Sequence, residues 1–226
     1  MFLAEALDFL EAEAPGLIEV NMKKSALFCK NLFCAGLCLF ALLLTSCVSV
    51  KKLNNLSKVY VTNTKQINLL PPEDIADGLD DLMLFKGDFN GLSINLPALV
   101  QADSQGIYIT LLNDFGTDMG SISYDGFSAQ ADMAILPSKL KIEYIINDFQ
   151  NAFYKEEKLR QNLKASKLDF KVLKADEGED AAGSDSGEIR QVYSGNKLIE
   201  EITINSQGAA IKNLLRGYSF SLYFLQ

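Results

Sequence analysis

The side chains able to do chemistry in this 226-residue chain are few in kind. Histidine and tryptophan are absent, which removes Ser-His-Asp and Cys-His nucleophilic sites, histidine-based zinc sites and the usual near-neutral general base. Carboxylates, hydroxyls, lysines and four cysteines remain, the last being Cys29, Cys34, Cys38 and Cys47. Carboxylate pairs of the glycosidase kind could be drawn from so many acids that none is singled out. No nucleophile motif or glycine-rich phosphate loop accompanies the Asp, Glu, Ser, Tyr and Lys residues, so the expectation is a protein that is not an enzyme and needs no cofactor or metal.

The thiol of Cys47 stands out by its surroundings. Lys23, Lys24 and Lys30 lead an apolar stretch over residues 32–44, and Thr45-Ser46 precede the cysteine. This resembles a bacterial lipoprotein signal: a positive region, an apolar region too short to span a bilayer, and small residues before the point of cleavage. The resemblance implies that Cys47 becomes the first mature residue and carries acyl chains, palmitate among them, so that the protein is anchored to the outer membrane, facing the periplasm. Residues 22–46 are then the signal. Residues 1–21 are acidic, which does not suit the start of a signal, and they are set aside as an upstream extension. Residues 47–57 form a polar tether, and residues 58–226 are of a length for one domain. Three of the cysteines leave with the signal, so no disulfide forms within the mature part, which is long enough to build its own core.

The chain holds 21 Lys plus Arg against 29 Asp plus Glu, a net charge of −8. No basic patch is interleaved with aromatics, and nucleic acid is therefore not an expected partner.

Folding is expected to start at Lys58-Val59-Tyr60-Val61, and Pro71-Pro72 should end any strand that precedes them. From Leu82 onward, Leu92, Ile94 and Leu96, then Ile107, Ile109 and Leu111, alternate with polar residues, the period of half-buried strands. Turn signals at Gly87-Asp88, Asn90-Gly91, Gly106, Gly116 and Gly126 separate them, as in an antiparallel meander. The period then becomes helical: Ile142, Ile145, Ile146, Phe149 and Phe153 predict an amphipathic helix over residues 137–154. Pro137 would sit in its first turn, with Ser138, Lys141, Asn147, Asp148 and Lys155 on its other face. A second helical piece covers residues 156–165. Strands return over 168–173, 188–193, 198–204 and 209–225, with a tight turn at Ser194-Gly195-Asn196. Along the last run Tyr218, Phe220, Leu222 and Phe224 alternate with Ser219, Ser221, Tyr223 and Leu225, so both faces are partly apolar. Residues 175–187 (ADEGEDAAGSDSG) lack the ligand spacing of a calcium loop and read as a solvated hairpin tip.

Two polar residues are candidates for more than solvation. Arg216, just before the last strand, offers a planar fork to a phosphate or carboxylate, and Asp148 lies beside the apolar stripe of the helix. They form a buried pair or a headgroup contact, or both are solvated.

Three segments carry a family resemblance: Asn113-Asp114-Phe115-Gly116 to Tyr124-Asp125-Gly126; Ile145-Ile146-Asn147-Asp148-Phe149-Gln150 to Phe153-Tyr154; and Asn213-Leu214-Leu215-Arg216-Gly217-Tyr218. Their order and spacing over residues 69–226 resemble a family of bacterial lipoproteins, domain of unknown function 3261, although Phe-Tyr follows the helix where a Trp-Pro pair is common. That family is in turn similar to the LolA/LolB carriers and receptors. The resemblance implies an α+β fold in which an open antiparallel half-barrel is covered by one or two helices, and a lipid, acyl or polyene ligand in its hydrophobic cavity. The ligand-binding residues would be Ile145, Phe149, Phe153, Tyr218, Phe220, Leu222 and Arg216. A filled core with no ligand fits the same apolar pattern. The alternative function is an anchored scaffold that meets an envelope protein partner through an exposed edge or patch.

Overall fold

Alternation of apolar and polar residues builds one large sheet. In a computed structural model, which describes residues 56–133, 140–174 and 187–225, strands β3 (Leu79–Phe89), β4 (Leu92–Ala102), β5 (Ile107–Leu112), β6 (Asp118–Tyr124) and β7 (Ala129–Asp132) form an antiparallel meander. Helices α1 (Ile142–Phe153) and α2 (Glu156–Ala165) follow. A second meander comprises β8 (Asp169–Lys174), β9 (Glu188–Ser194), β10 (Lys197–Asn205), β11 (Gly208–Asn213) and β12 (Tyr218–Phe224). The last strand pairs antiparallel with the first of the large sheet, Tyr218 opposite Phe89 through Phe224 opposite Met83. The ten strands therefore lie in the order β7-β6-β5-β4-β3-β12-β11-β10-β9-β8. The fold is α+β, as expected, with a large antiparallel sheet and two helices. Cys47 and the signal lie outside the described residues, as do Pro137, Ser138 and the 175–186 segment.

One face of the sheet is covered. Met83, Phe85 and Phe89 of β3, Ile94, Ala98 and Val100 of β4, and Phe220 and Leu222 of β12 are buried there, while Lys86, Asp88, Ser93 and Asn95 point the other way. Gly87-Asp88, expected as a turn, lies inside β3. The glycine is on the covered face between Phe85 and Phe89, whose rings stack 6.4 Å apart; a Cβ at Gly87 would come within 2.4 Å of the Phe89 ring. Aromatic packing is the reason for that glycine, and the turn falls at Asn90-Gly91, both at positive φ. The last apolar run is two strands, broken at residues 214–217, where Gly217 takes φ +70°.

A short hairpin, β1 (Lys58–Tyr60) and β2 (Gln66–Asn68), packs against the helices, β1 against α1 and β2 against α2. Asn162 of α2 donates to the Asn68 carbonyl (2.8 Å) and Ser166 to that of Gln66 (2.6 Å). Pro71-Pro72 ends this hairpin segment in a single 3-10 turn, Pro72–Asp74. The Ala76 amide then bonds the Phe153 carbonyl, and the Lys155 amide that of Asp74, each at 3.0 Å. Helix α1 is thus enclosed on more sides than an amphipathic surface helix. Eight residues in succession, Ile145 to Ala152, are buried.

Candidate functional site

Burying α1 all round brings Asn147, Asp148, Gln150 and Asn151 out of water, and each needs a partner. Of the alternatives for Asp148 the solvated one does not hold, and the polar side of the helix is buried at Asn147 as well: Asp148 is 1% exposed. Its Oδ2 accepts from the Tyr218 hydroxyl at the start of β12 and from Asn213 Nδ2 at the end of β11 (3.2 Å), and Asn147 Nδ2 donates to Oδ1 (3.2 Å). The turn between β11 and β12 is drawn into the same network, because the Asn213 Oδ1 accepts the Arg216 amide at 3.1 Å. One turn further along α1, Asn151 Nδ2 donates to Glu200 Oε2 of β10 (2.9 Å). The other oxygen of Glu200 has no hydrogen-bond partner among the described residues.

Two buried acids near one another cannot both be ionised cheaply. Burial pushes the Asp148 carboxyl up to about 6, against the pull of the hydrogen bonds from Tyr218, Asn213 and Asn147 and of the Arg216 charge. Glu200 is pushed well above the usual carboxylate range, first by burial and then by the charge on Asp148. Of the two, Asp148 is better placed to hold the negative charge, with donors from Tyr218, Asn213 and Asn147 and the Arg216 charge facing it, whereas Glu200 has Asn151 alone as a donor among the described residues. The enclosed space bounded by Asp148, Glu200, Asn213 and Arg216 is about 10 Å³, which admits one water-sized group and nothing larger. This cluster fastens elements and leaves no room for a ligand.

Arg216 fills a third role beside those expected of it. Its guanidinium donates to the backbone carbonyls of Val61 (3.1 Å) and Tyr60, and it stacks over the Tyr144 ring at 3.7 Å. It clamps the β1 hairpin onto α1, which suits a fork of donors on a delocalised plane. No ion pair joins it directly to Asp148 among the described residues; the two act across the Asn213 turn. Gln150 secures the same segment from the helix, accepting the Leu70 amide (2.9 Å) and donating to the Leu70 carbonyl (2.7 Å). Arg190 of β9 caps the helix end, its Nη1 donating to the carbonyls of Asn151, Ala152 and Tyr154 at 3.0–3.1 Å.

The apolar residues singled out from the sequence meet inside one core. Ile145, Phe149 and Leu222 are 0% exposed, Phe220 3% and Tyr218 4%, and Phe153 packs partly buried against them. Phe149 lies 4.7 Å from Phe153, Phe220 5.7 Å from Phe85, and Tyr218 5.6 Å from Phe89. Glu200, Asn213, Gln150 and Arg190 were not singled out as site residues. Asn213 and Gln150 were visible as members of the resemblance segments. Glu200 was hidden by a register shift between Leu198 and Glu200, which buries Ile199 and Glu200 side by side and breaks the two-residue period.

A large antiparallel sheet, one face laid on an enclosed helix and the helix tied to the C-terminal turn by a buried Asp-Asn-Tyr cluster, defines the class of protein. Residues 84–226 match the family model described as protein of unknown function (DUF3261), and the chain belongs to that family. No curated protein matches the chain. Among the described residues no group of three or more acids or cysteines is placed to hold a metal, and no helix is long and apolar enough to cross a membrane.

Proposed function

We propose that this protein is an outer-membrane lipoprotein, acylated at Cys47, that binds or receives a lipid, acyl or polyene chain between its sheet and α1, as LolA/LolB-like half-barrels do, and that it is a binding module and not an enzyme. One observation supports the half-barrel. Helix α1 packs against β7 at one edge of the sheet and against β10 and β11 in the other half. In a flat sheet β7 and β10 would lie seven strand spacings apart, about 34 Å, whereas the twelve residues of α1 extend only about 18 Å. A sheet curled round the helix accounts for that reach. The interior on this reading is lined by Ile145, Phe149, Phe220 and Leu222.

Native mass spectrometry of the full chain extracted from membranes is the test. A non-covalent lipid should be retained by the protein and lost from a Phe149→Asp variant, while Cys47→Ser should shift the protein out of the membrane fraction. Failure to retain any acyl lipid would overturn the carrier reading, and persistent membrane association of Cys47→Ser after signal cleavage would overturn the anchor.

A second reading, the envelope scaffold, draws on Phe115. This ring is 93% exposed at the tip of a turn held by Asn113 Oδ1, which accepts from the amides of Phe115 (3.0 Å) and Thr117 (2.9 Å). A bare ring on a braced turn suits insertion into a partner's pocket. Loss of co-purifying envelope proteins on Phe115→Ser, with lipid content unchanged, would favour the scaffold.

A further inference from the structure

The face of the sheet turned away from α1 carries a trough of about 640 Å³ running along β12, within the size range of small-molecule sites, roughly 300–1,000 Å³. Strand register fixes its lining. Lys212, Ser219 and Asp88 stand side by side on β11, β12 and β3, and Ala210, Ser221 and Lys86 form the next row. Small residues of β11 and β12 make the floor, and longer charged side chains make the walls. Tyr223 closes one end and Glu201, opposite Lys212, widens the other wall.

The serines and lysines of this trough are unspent, while Glu201 on its wall accepts from Gln191 Nε2 at 2.7 Å. Ser221 is only 8% exposed, yet its hydroxyl makes no hydrogen bond to any described residue. The hydroxyl is not sealed off: it opens onto the trough and is free to bond a group seated there. The ammonium groups of Lys86 and Lys212 have no ion-pair or hydrogen-bond partner among the described residues either. Two strand spacings and two residues of rise set their Cα atoms about 12 Å apart, so both flexible stems can converge above the serines. Lysine serves as a point-charge binder of phosphate, whereas planar carboxylates favour arginine forks. Among the described residues Asp88 accepts only the Gly91 amide, through one oxygen at 3.3 Å, and leaves the other for a cation beside the lysines.

We propose that this trough binds a zwitterionic phosphoryl-amine group of the phosphoethanolamine kind, its phosphate bridging Lys86 and Lys212 above the Ser219 and Ser221 hydroxyls and its ammonium against Asp88. The site lies on the opposite face from the apolar interior and stands independently of any chain bound there. Both a free metabolite and a phospholipid headgroup present this chemistry.

The test is calorimetric titration of the full chain in a non-ionic detergent with O-phosphoethanolamine, inorganic phosphate and ethanolamine. Saturable binding of O-phosphoethanolamine, tenfold or more tighter than inorganic phosphate, is expected. Lys86→Ala/Lys212→Ala should abolish it and Ser221→Ala weaken it severalfold, with unchanged melting curves because these side chains hold nothing else in place. Competition by phosphatidylethanolamine in mixed micelles would identify the lipid headgroup as the source, and binding without that competition the free molecule. Absence of saturable binding, equal affinity for inorganic phosphate, or undiminished binding by the double variant would overturn the proposal.

Discussion

The Tyr218 hydroxyl donates to Asp148 Oδ2 at 2.5 Å, joining the middle of α1 to the first residue of the last strand across 70 positions of sequence. The contact is wholly buried, and Asn213 binds both partners. Removing one side leaves a carboxylate short of a donor in a site water does not reach. Tyr218→Phe should therefore cost about 1.5–3 kcal/mol, the range for hydrogen bonds to charged groups, measured as a lower urea midpoint at unchanged slope. Substitution at a solvent-exposed tyrosine such as Tyr108, 46% exposed, should cost far less.

Stability should fall as pH rises. Both Asp148 and Glu200 hold their protons more tightly in the folded chain than unfolded acids do, Asp148 up to about 6 and Glu200 well above its ordinary value. Groups with raised folded values contribute stability that is complete below their unfolded pKa and is lost as pH climbs through the folded one. The melting temperature should decline from about pH 4 to pH 6 as Asp148 ionises, and further at higher pH as Glu200 is forced to follow. Glu200→Gln, neutral at every pH and still able to accept from Asn151, should leave the pH 4 melting temperature unchanged and raise that at pH 8 by a few degrees. Equal shifts at both pH values would show that Glu200 is not the proton holder.

Arg216→Lys keeps the charge and loses the fork. A lysine can neither donate to both the Tyr60 and Val61 carbonyls in one plane nor stack its head flat on Tyr144. The β1 hairpin should loosen while the large sheet persists. Trypsin cleavage at Lys58 and Lys65 is expected to accelerate several-fold, with little change in far-ultraviolet circular dichroism.

Gly208 starts β11 at φ +137°, and an added Cβ would lie 2.0 Å from the Leu222 carbonyl oxygen and 2.9 Å from the Tyr223 Cα. Both neighbours are backbone of the paired strand and cannot rotate away. Gly208→Ala should destabilise by more than about 3 kcal/mol, above the usual cost of overpacking. Gly195→Ala, at φ +62° with open space around it, should cost only the smaller strain of a left-handed residue. Thermal melts of the two variants compare them directly.

Local patterning determined much of this protein. The two-residue period of Leu92 to Leu96 and Ile107 to Leu111 placed strands where they lie, and the helical spacing from Ile142 to Phe153 falls on α1, which is shorter than the expected 137–154: Lys141 is an extended cap before it, and Tyr154 and Lys155 lie beyond its end. Burial of Ile94, Ile107, Ile109, Leu111, Ile145, Ile146 and Phe149 follows from period, because side chains on one face of a strand or helix share one environment, while Leu92, at the start of its strand, stays exposed. The same logic misjudged the polar side of α1. Periodicity says which residues share a face and nothing about what lies against it, so it put Asn147 on the polar side and left Asp148 open between burial and solvation, which the β1 hairpin and the β11–β12 turn decide by closing over both. The three resemblance segments were legible as separate strings, yet the fold makes two of them a single hydrogen-bonded cluster through Asp148, Asn213 and Tyr218. Glu200 enters that cluster because a register shift turns it inward. The trough on the open face likewise exists only through the pairing of β12 with β3, which sets Ser221 beside Lys86 across 135 positions of chain. Partners so distant in sequence meet through strand order and register, which global packing decides and no local period records.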